Sequence, residues 1–172
     1  MKNNAKVQQS TKKEFSERIS EHQGIIHKVT MIYADSPADR EDLFQEICLQ
    51  LWRSYARFRG EAKFSTWMYR VALNTAISNV RKNKNKPGHE FLNENVQLSD
   101  EGQSDLDQVR LLFRAVAALN RIDKAIILLW LDEKSYDEIA TIMGTSKSNV
   151  SVKLVRIKRR LEALIKEAEK HE

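Results

Sequence analysis

Between Ala38 and Ala56 the apolar positions recur at helical spacing. Phe44, Ile47, Cys48, Leu51 and Tyr55 fall in one stripe, with Asp42, Glu46 and Arg53 on the far side. The same period predicts helices over roughly Lys13–Tyr33 and Ser65–Lys84, with Gly60 separating the second from the third. Further along, it predicts four more, over roughly Leu106–Leu119, Asp123–Leu131, Tyr136–Met143 and Lys147–Glu169. No stretch alternates apolar and polar residues as a half-buried strand would, so the expected fold is all-α. Residues 87–108 have no apolar period and include Pro87, Gly88 and Gly102, three of the seven Gly and Pro residues of the chain. They read as a flexible linker between two small helical domains, 1–86 and 109–172.

The C-terminal pair of helices carries its own punctuation. Ser135-Tyr136-Asp137-Glu138 has capping-box spacing, Gly144 suits a left-handed helix end, and Ser146 offers the next N-cap. The last helix then places Val150, Leu154, Ile157 and Leu161 on one face and Ser148, Asn149, Val152, Arg156 and Arg159 on the other. A short helix, a tight glycine turn and a second helix with amide and cationic side chains outward form the pattern that enters a DNA major groove. Asn149 can read a base edge there. Lys147, Lys153, Arg156, Lys158, Arg159 and Arg160 can meet phosphate or guanine.

Charge sharpens this division. Residues 1–86 carry 16 Lys/Arg against 9 Asp/Glu, residues 87–108 none against 6, and residues 109–172 carry 13 against 9. Two basic blocks flanking an acidic one suit two modules that meet a polyanion through a tether repelled by it, although solvated helix faces give the same count. Cys48 is the only cysteine, which excludes an internal disulfide and leaves a zinc site short of thiolates. His22, His27, His89 and His171 are scattered, and no nucleophile set, paired carboxylates or phosphate loop stands at useful spacing. The expectation is a protein without enzymatic activity, metal or cofactor. No apolar run is long enough for a membrane span and no hydrophobic segment follows the first lysines, so neither membrane insertion nor secretion is expected.

Two helical faces carry residues that packing does not require. On the second helix Leu49 projects from the polar side among carboxylates, with Gln45 and Trp52 at the border of the apolar stripe. Such a leucine marks a partner surface or is one of the exposed leucines common on any protein. On the third helix Phe64, Met68, Val71, Ala72 and Thr75 form the expected core stripe, and Trp67, Arg70, Asn74 and Arg81 line up separately. An aromatic ring to stack on an unpaired base, a cation for phosphate and an amide for a base edge suit single-stranded nucleic acid. A core tryptophan beside a solvated polar face is the alternative. The loop before this helix adds Tyr55, Phe58, Arg59, Gly60, Glu61 and Lys63, an interleaving that can hold a base out of its stack.

Three segments resemble one family. Residues 40–52, REDLFQEICLQLW, resemble the core-polymerase-binding helix of bacterial sigma factors; residues 58–74, FRGEAKFSTWMYRVALN, resemble their promoter-opening segment; SYDEIA at 135–140, with Gly144 and Val150, resembles their C-terminal helix-turn-helix. With two domains and a short linker, the chain is similar to the extracytoplasmic-function group. The resemblance implies that RNA polymerase core enzyme is bound through Asp42, Gln45, Glu46, Leu49 and Arg53, and that promoter DNA is melted and held by Arg59, Lys63, Phe64, Trp67, Arg70 and Asn74. It also implies that the upstream element is read by Lys147, Ser148, Asn149, Val152, Arg156 and Arg159. The linker would thread the polymerase toward the RNA exit channel. An anti-sigma factor would be a further partner, the location would be cytoplasmic or at the inner membrane through that partner, and no obligate homo-oligomer is implied. The sequence departs from the family where Asp often stands at Ser78, Pro at Asn120 and Gly-Thr at Ser148-Asn149. The change at Asn120 is expected to soften a helix boundary. The rival reading, a regulator with a helix-turn-helix, would pair two recognition helices about 34 Å apart through a dimer.

Overall fold

The computed structural model describes residues 2–83 and 103–170. They form seven helices: α1 (Lys2–Tyr33), α2 (Pro37–Tyr55), α3 (Phe64–Asn83), α4 (Gln103–Ala117), α5 (Arg121–Leu131), α6 (Tyr136–Met143) and α7 (Lys147–Glu169). Residues 84–102, which include most of the segment read as a linker (87–108), lie outside the described residues. α4 begins at Gln103, inside the span assigned to the linker, and α1 begins at Lys2 rather than Lys13. Both extensions run through polar sequence, where helix continues without the apolar period that would announce it.

Helices α1, α2 and α3 pack on one another, and α4 to α7 form a second group. In the first, Ile26 and Val29 of α1, Leu43, Ile47 and Leu51 of α2, and Met68, Tyr69, Ala72, Leu73 and Ala76 of α3 are buried. The α2 core is therefore centred on Leu43, Ile47 and Leu51. Phe44 and Cys48 are half-buried at its edge, a rotation from the stripe expected on sequence. On α3 the correction is larger: Tyr69 and Leu73 are buried while Phe64, Val71 and Thr75 are only half-buried. α3 contacts α1 and α2 and also α5 and α6, and a helix covered on several sides does not show a single apolar stripe.

The two groups share one apolar core. α1 meets α4 and α5, and α3 meets α5 and α6. Tyr33, buried at the end of α1, donates its hydroxyl to the Arg121 carbonyl at the start of α5. Burial pushes its phenol well above the ordinary value, with a backbone hydrogen bond at Ala125 opposing. Asn120 turns out to define its boundary sharply: its side-chain oxygen accepts from the Ile122 and Asp123 amides at 3.1 and 3.0 Å, an N-cap for α5.

The expected caps of the last two helices are present. The Glu138 amide donates to Ser135 Oγ at 3.2 Å and the Ser135 amide to Glu138 Oε2 at 2.9 Å. Gly144 ends α6 at φ +66°, and Ser146 accepts from the Asn149 amide at 3.2 Å to start α7. Ser135→Ala is expected to destabilise the fold by about 1 kcal/mol, read as a lower urea midpoint at neutral pH. The Ser135 amide and hydroxyl hold the Glu138 carboxyl below its ordinary value. A depressed carboxyl contributes stability that is complete above its unfolded pKa and is lost as pH falls through the folded one. The difference between parent and Ser135→Ala should therefore narrow in acid.

Candidate nucleic-acid interface

The outer face of α2 presents Asp42, Gln45, Leu49 and Arg53 to solvent. Leu49 is 41% exposed although α2 buries leucines on its other side. Glu46 is half-buried and accepts from Gln50 Nε2 at 2.7 Å, so its carboxylate is held along the helix. Trp52 is 38% exposed, and its ring meets Phe15 of α1 edge-on at 5.0 Å. The face thus combines one exposed aliphatic, one aromatic and charges of both signs.

A second site lies between α2 and α3. The chain turns at Gly60, whose φ of +73° favours glycine, and the loop folds back over the start of α3. A cavity of about 520 Å³ results, lined by Arg57, Phe58, Arg59, Glu61, Trp67 and Arg70 together with Ala56 and Ala62. Trp67 packs against Phe58 at 5.0 Å and Phe64 at 5.3 Å. Phe64 is enclosed more fully, with His22 edge-on at 5.3 Å and the Arg18 guanidinium 5.5 Å from its ring centre. The two rings are therefore unequal: Trp67 lines the cavity and Phe64 buttresses it. Lys63 and Asn74 are exposed beside this site rather than in its lining, and Ser78 is exposed further along α3. Arg57 belongs to the cavity and was not singled out on sequence. Its position among loop residues that already included Arg59 was the only available signal.

The third site is the outer face of α7. Ser148, Asn149, Val152, Arg156 and Arg159 are all exposed, and Val152 is 58% exposed. Opposite them Val150, Leu154, Ile157 and Leu161 are buried, so the predicted division of the helix holds. Lys147 pairs with Asp137 of α6 at 2.7 Å, and Asn149 Nδ2 donates to Thr145 Oγ1 at 2.6 Å. Lys158 is placed differently from its neighbours. Its ammonium lies 4.1 Å from the centre of the Trp130 ring, on the side of α7 that faces α5.

Comparison with known proteins gives this arrangement a family. Residues 18–86 match Sigma-70 region 2 and residues 110–161 match Sigma-70, region 4. The ECF RNA polymerase sigma-E factor of Haemophilus influenzae is 30% identical over 91% of this chain and 90% of its own length. The RNA polymerase sigma-H factor of Pseudomonas aeruginosa is 26% identical over 95% of this chain and 94% of its own. Among solved structures, the sigma factor RpoE of Bartonella quintana, crystallised with the anti-sigma factor NepR, superposes with a TM-score of 0.75. It has 19% identity and covers 90% of this chain and 98% of its own. CnrH in complex with the cytosolic domain of CnrY gives a TM-score of 0.66 at 17% identity, over 90% of this chain and 89% of its own.

A helical pair of regions 2 and 4 defines a bacterial transcription initiation factor of the sigma-70 class. Within that class, this chain belongs to the ECF group of RNA polymerase sigma factors.

Proposed function

We propose that this sigma factor docks on core polymerase through the outer face of α2, reads the upstream promoter element in duplex form with α7, and captures an unstacked base at the cavity between α2 and α3. The observation that carries the reading is that cavity. Three guanidinium side chains, Arg57, Arg59 and Arg70, surround an aromatic wall of Phe58 and Trp67. Cations neutralise the strand while a ring receives a base that has left its stack. Asn74, exposed one helical turn beyond Arg70, supplies an amide for a base edge, and Lys63 a further cation. On α7, Asn149 and Arg156 read base edges, Val152 offers an apolar contact for a thymine methyl, and Lys147 and Arg159 meet phosphate. An anti-sigma factor is a partner of the same chain, by analogy with the sigma factor RpoE solved with the anti-sigma factor NepR. No helix among the described residues is long and apolar enough to cross a membrane, which accords with a place in the cytoplasm and with any membrane tether lying in that partner.

The test is strand opening. Asn74→Ala combined with Lys63→Ala should leave core binding and closed-complex formation intact. It should lower permanganate reactivity of thymines near the start site by about tenfold, the scale of one lost base contact of ~1–3 kcal/mol. A pre-melted bubble should restore part of the loss. Parental reactivity on a fully paired promoter would remove the melting assignment and return these residues to a solvated helix face.

A further inference from the structure

The cavity residues proposed to hold DNA are not all free in this structure, because the C-terminal group of helices rests on α3. Arg70 Nη2 donates to the Thr141 carbonyl of α6 at 2.5 Å. Lys63 lies close enough to Glu138 of α6 for its charge to help hold that carboxyl down. Region 4 thus engages two exposed cations at one edge of the site assigned to the melted strand.

Beyond the shared apolar core and the Tyr33–Arg121 bond, the polar contacts that hold it there converge on one side chain. Asp132 follows the last residue of α5 and reaches across to both α1 and α3: Lys28 Nζ donates to its Oδ1, and Tyr69 Oη donates to its Oδ2 at 2.5 Å. Lys134, two residues on, stands 3.9 Å from Oδ2 and 5.8 Å from the centre of the Tyr69 ring. Tyr69 is itself fully buried, so its hydroxyl has a single outlet and Asp132 fills it. Burial disfavours the charged carboxylate, yet the hydrogen bonds from Lys28 and Tyr69 prevail and hold Asp132 below its ordinary value. The turn that aims it is built without glycine: the Glu133 amide donates to Trp130 O and the Lys134 amide to Leu129 O, both at 3.0 Å. Glu133 takes φ +56° to close this Schellman motif. A non-glycine residue in the left-handed region persists where surrounding contacts over-determine it. The same turn carries Asp132 and Lys134, the two residues that engage α1 and α3.

We infer that Asp132 is a latch between regions 2 and 4, holding the free sigma factor closed with the Arg70 guanidinium tied to α6, so that strand capture requires its release. The autoinhibitory half of this inference rests on the proposed role of Arg70; the latch itself does not. Asp132 is well suited to the task because its carboxylate makes no cap within its own helix. The α5 end is closed by backbone groups alone, with the Asp132 amide donating to Leu128 O at 3.0 Å. Loss of the side chain removes the bridge without removing the helix end.

The experiment uses the full chain with Cys48→Ser as background and spin labels at the exposed positions Gln23 of α1 and Glu167 of α7. The parent should give one narrow interspin distance. Asp132→Ala, and independently Lys28→Ala at an exposed position, should give longer and broader distributions with helicity retained. Parental distributions in both variants would overturn the latch. A short mixed-sequence single-stranded DNA then reads the autoinhibition. If the parent is open about a tenth of the time, opening raises its affinity by up to about tenfold. Longer distances with unchanged affinity would overturn the autoinhibitory half. Arg70→Ala in the Asp132→Ala background separates the remaining case: if it too leaves DNA binding unchanged, the strand-capture role of Arg70 is the reading that fails.

Discussion

Leu49→Asp is expected to weaken binding to core polymerase by at least about tenfold and to abolish most promoter-dependent transcription, while circular dichroism and melting temperature stay near parental. Leu49 is 41% exposed on the outer face of α2, flanked by Gln45, Glu46 and Arg53. It makes no part of the Leu43–Ile47–Leu51 core, so an aspartate there costs the fold little. In a docked complex the same side chain would be desolvated at the centre of the contact. Truncating or charging a buried hot spot costs on the order of 2 kcal/mol or more of binding free energy. A pull-down of core polymerase by the variant checks this, and retention equal to the parent would remove α2's outer face from the interface.

Two residues earlier on the same helix the opposite behaviour is expected. Ile47 is fully buried where α2 meets α1 and α3. Ile47→Ala deletes buried carbon atoms and leaves a void that neighbouring helices close only in part, which costs about 2–5 kcal/mol. Against a total stability of roughly 5–15 kcal/mol, that is a large fraction. Urea denaturation should show a markedly lower midpoint with little change in slope. Binding to core polymerase by the fraction that remains folded should be near parental, since Ile47 is fully buried and offers a partner no surface. Together the two substitutions separate the inner and outer faces of α2 by stability against affinity.

The helix-turn-helix was legible because its signals are local. Ser135 with Glu138, Gly144 and Ser146 each act within a few residues, and each does in the structure what the sequence suggests. Local signals also explain the errors. Asn120 stands where the family often has proline, yet asparagine is among the best N-caps, and Ser36, before Pro37, caps α2 by accepting from the Asp39 amide. Glu133 ends α5 in a left-handed conformation that no glycine announced.

Tyr69 shows the limit more clearly. Its burial and its bond to Asp132 depend on α5 and α6 lying over α3, a contact between residues 63 apart in sequence. No periodicity within α3 encodes that. Phe64 likewise belongs by resemblance with the residues that hold promoter DNA, yet Arg18 and His22 of α1 stand around its ring, and Lys158 suits phosphate on sequence while Trp130 lies beneath it. In each case the residue type was read correctly and its neighbour, supplied by a distant helix, decided what it does.

This chain should give core polymerase the ability to start at particular promoters, and run-off transcription tests that most directly. Purified core enzyme, the full chain and a panel of duplex promoter fragments should yield discrete transcripts from a subset of templates, dependent on the chain and lost with Leu49→Asp. Transcripts that are the same with and without the chain, together with tight binding of duplex operator DNA by a dimer of the chain alone, would contradict it.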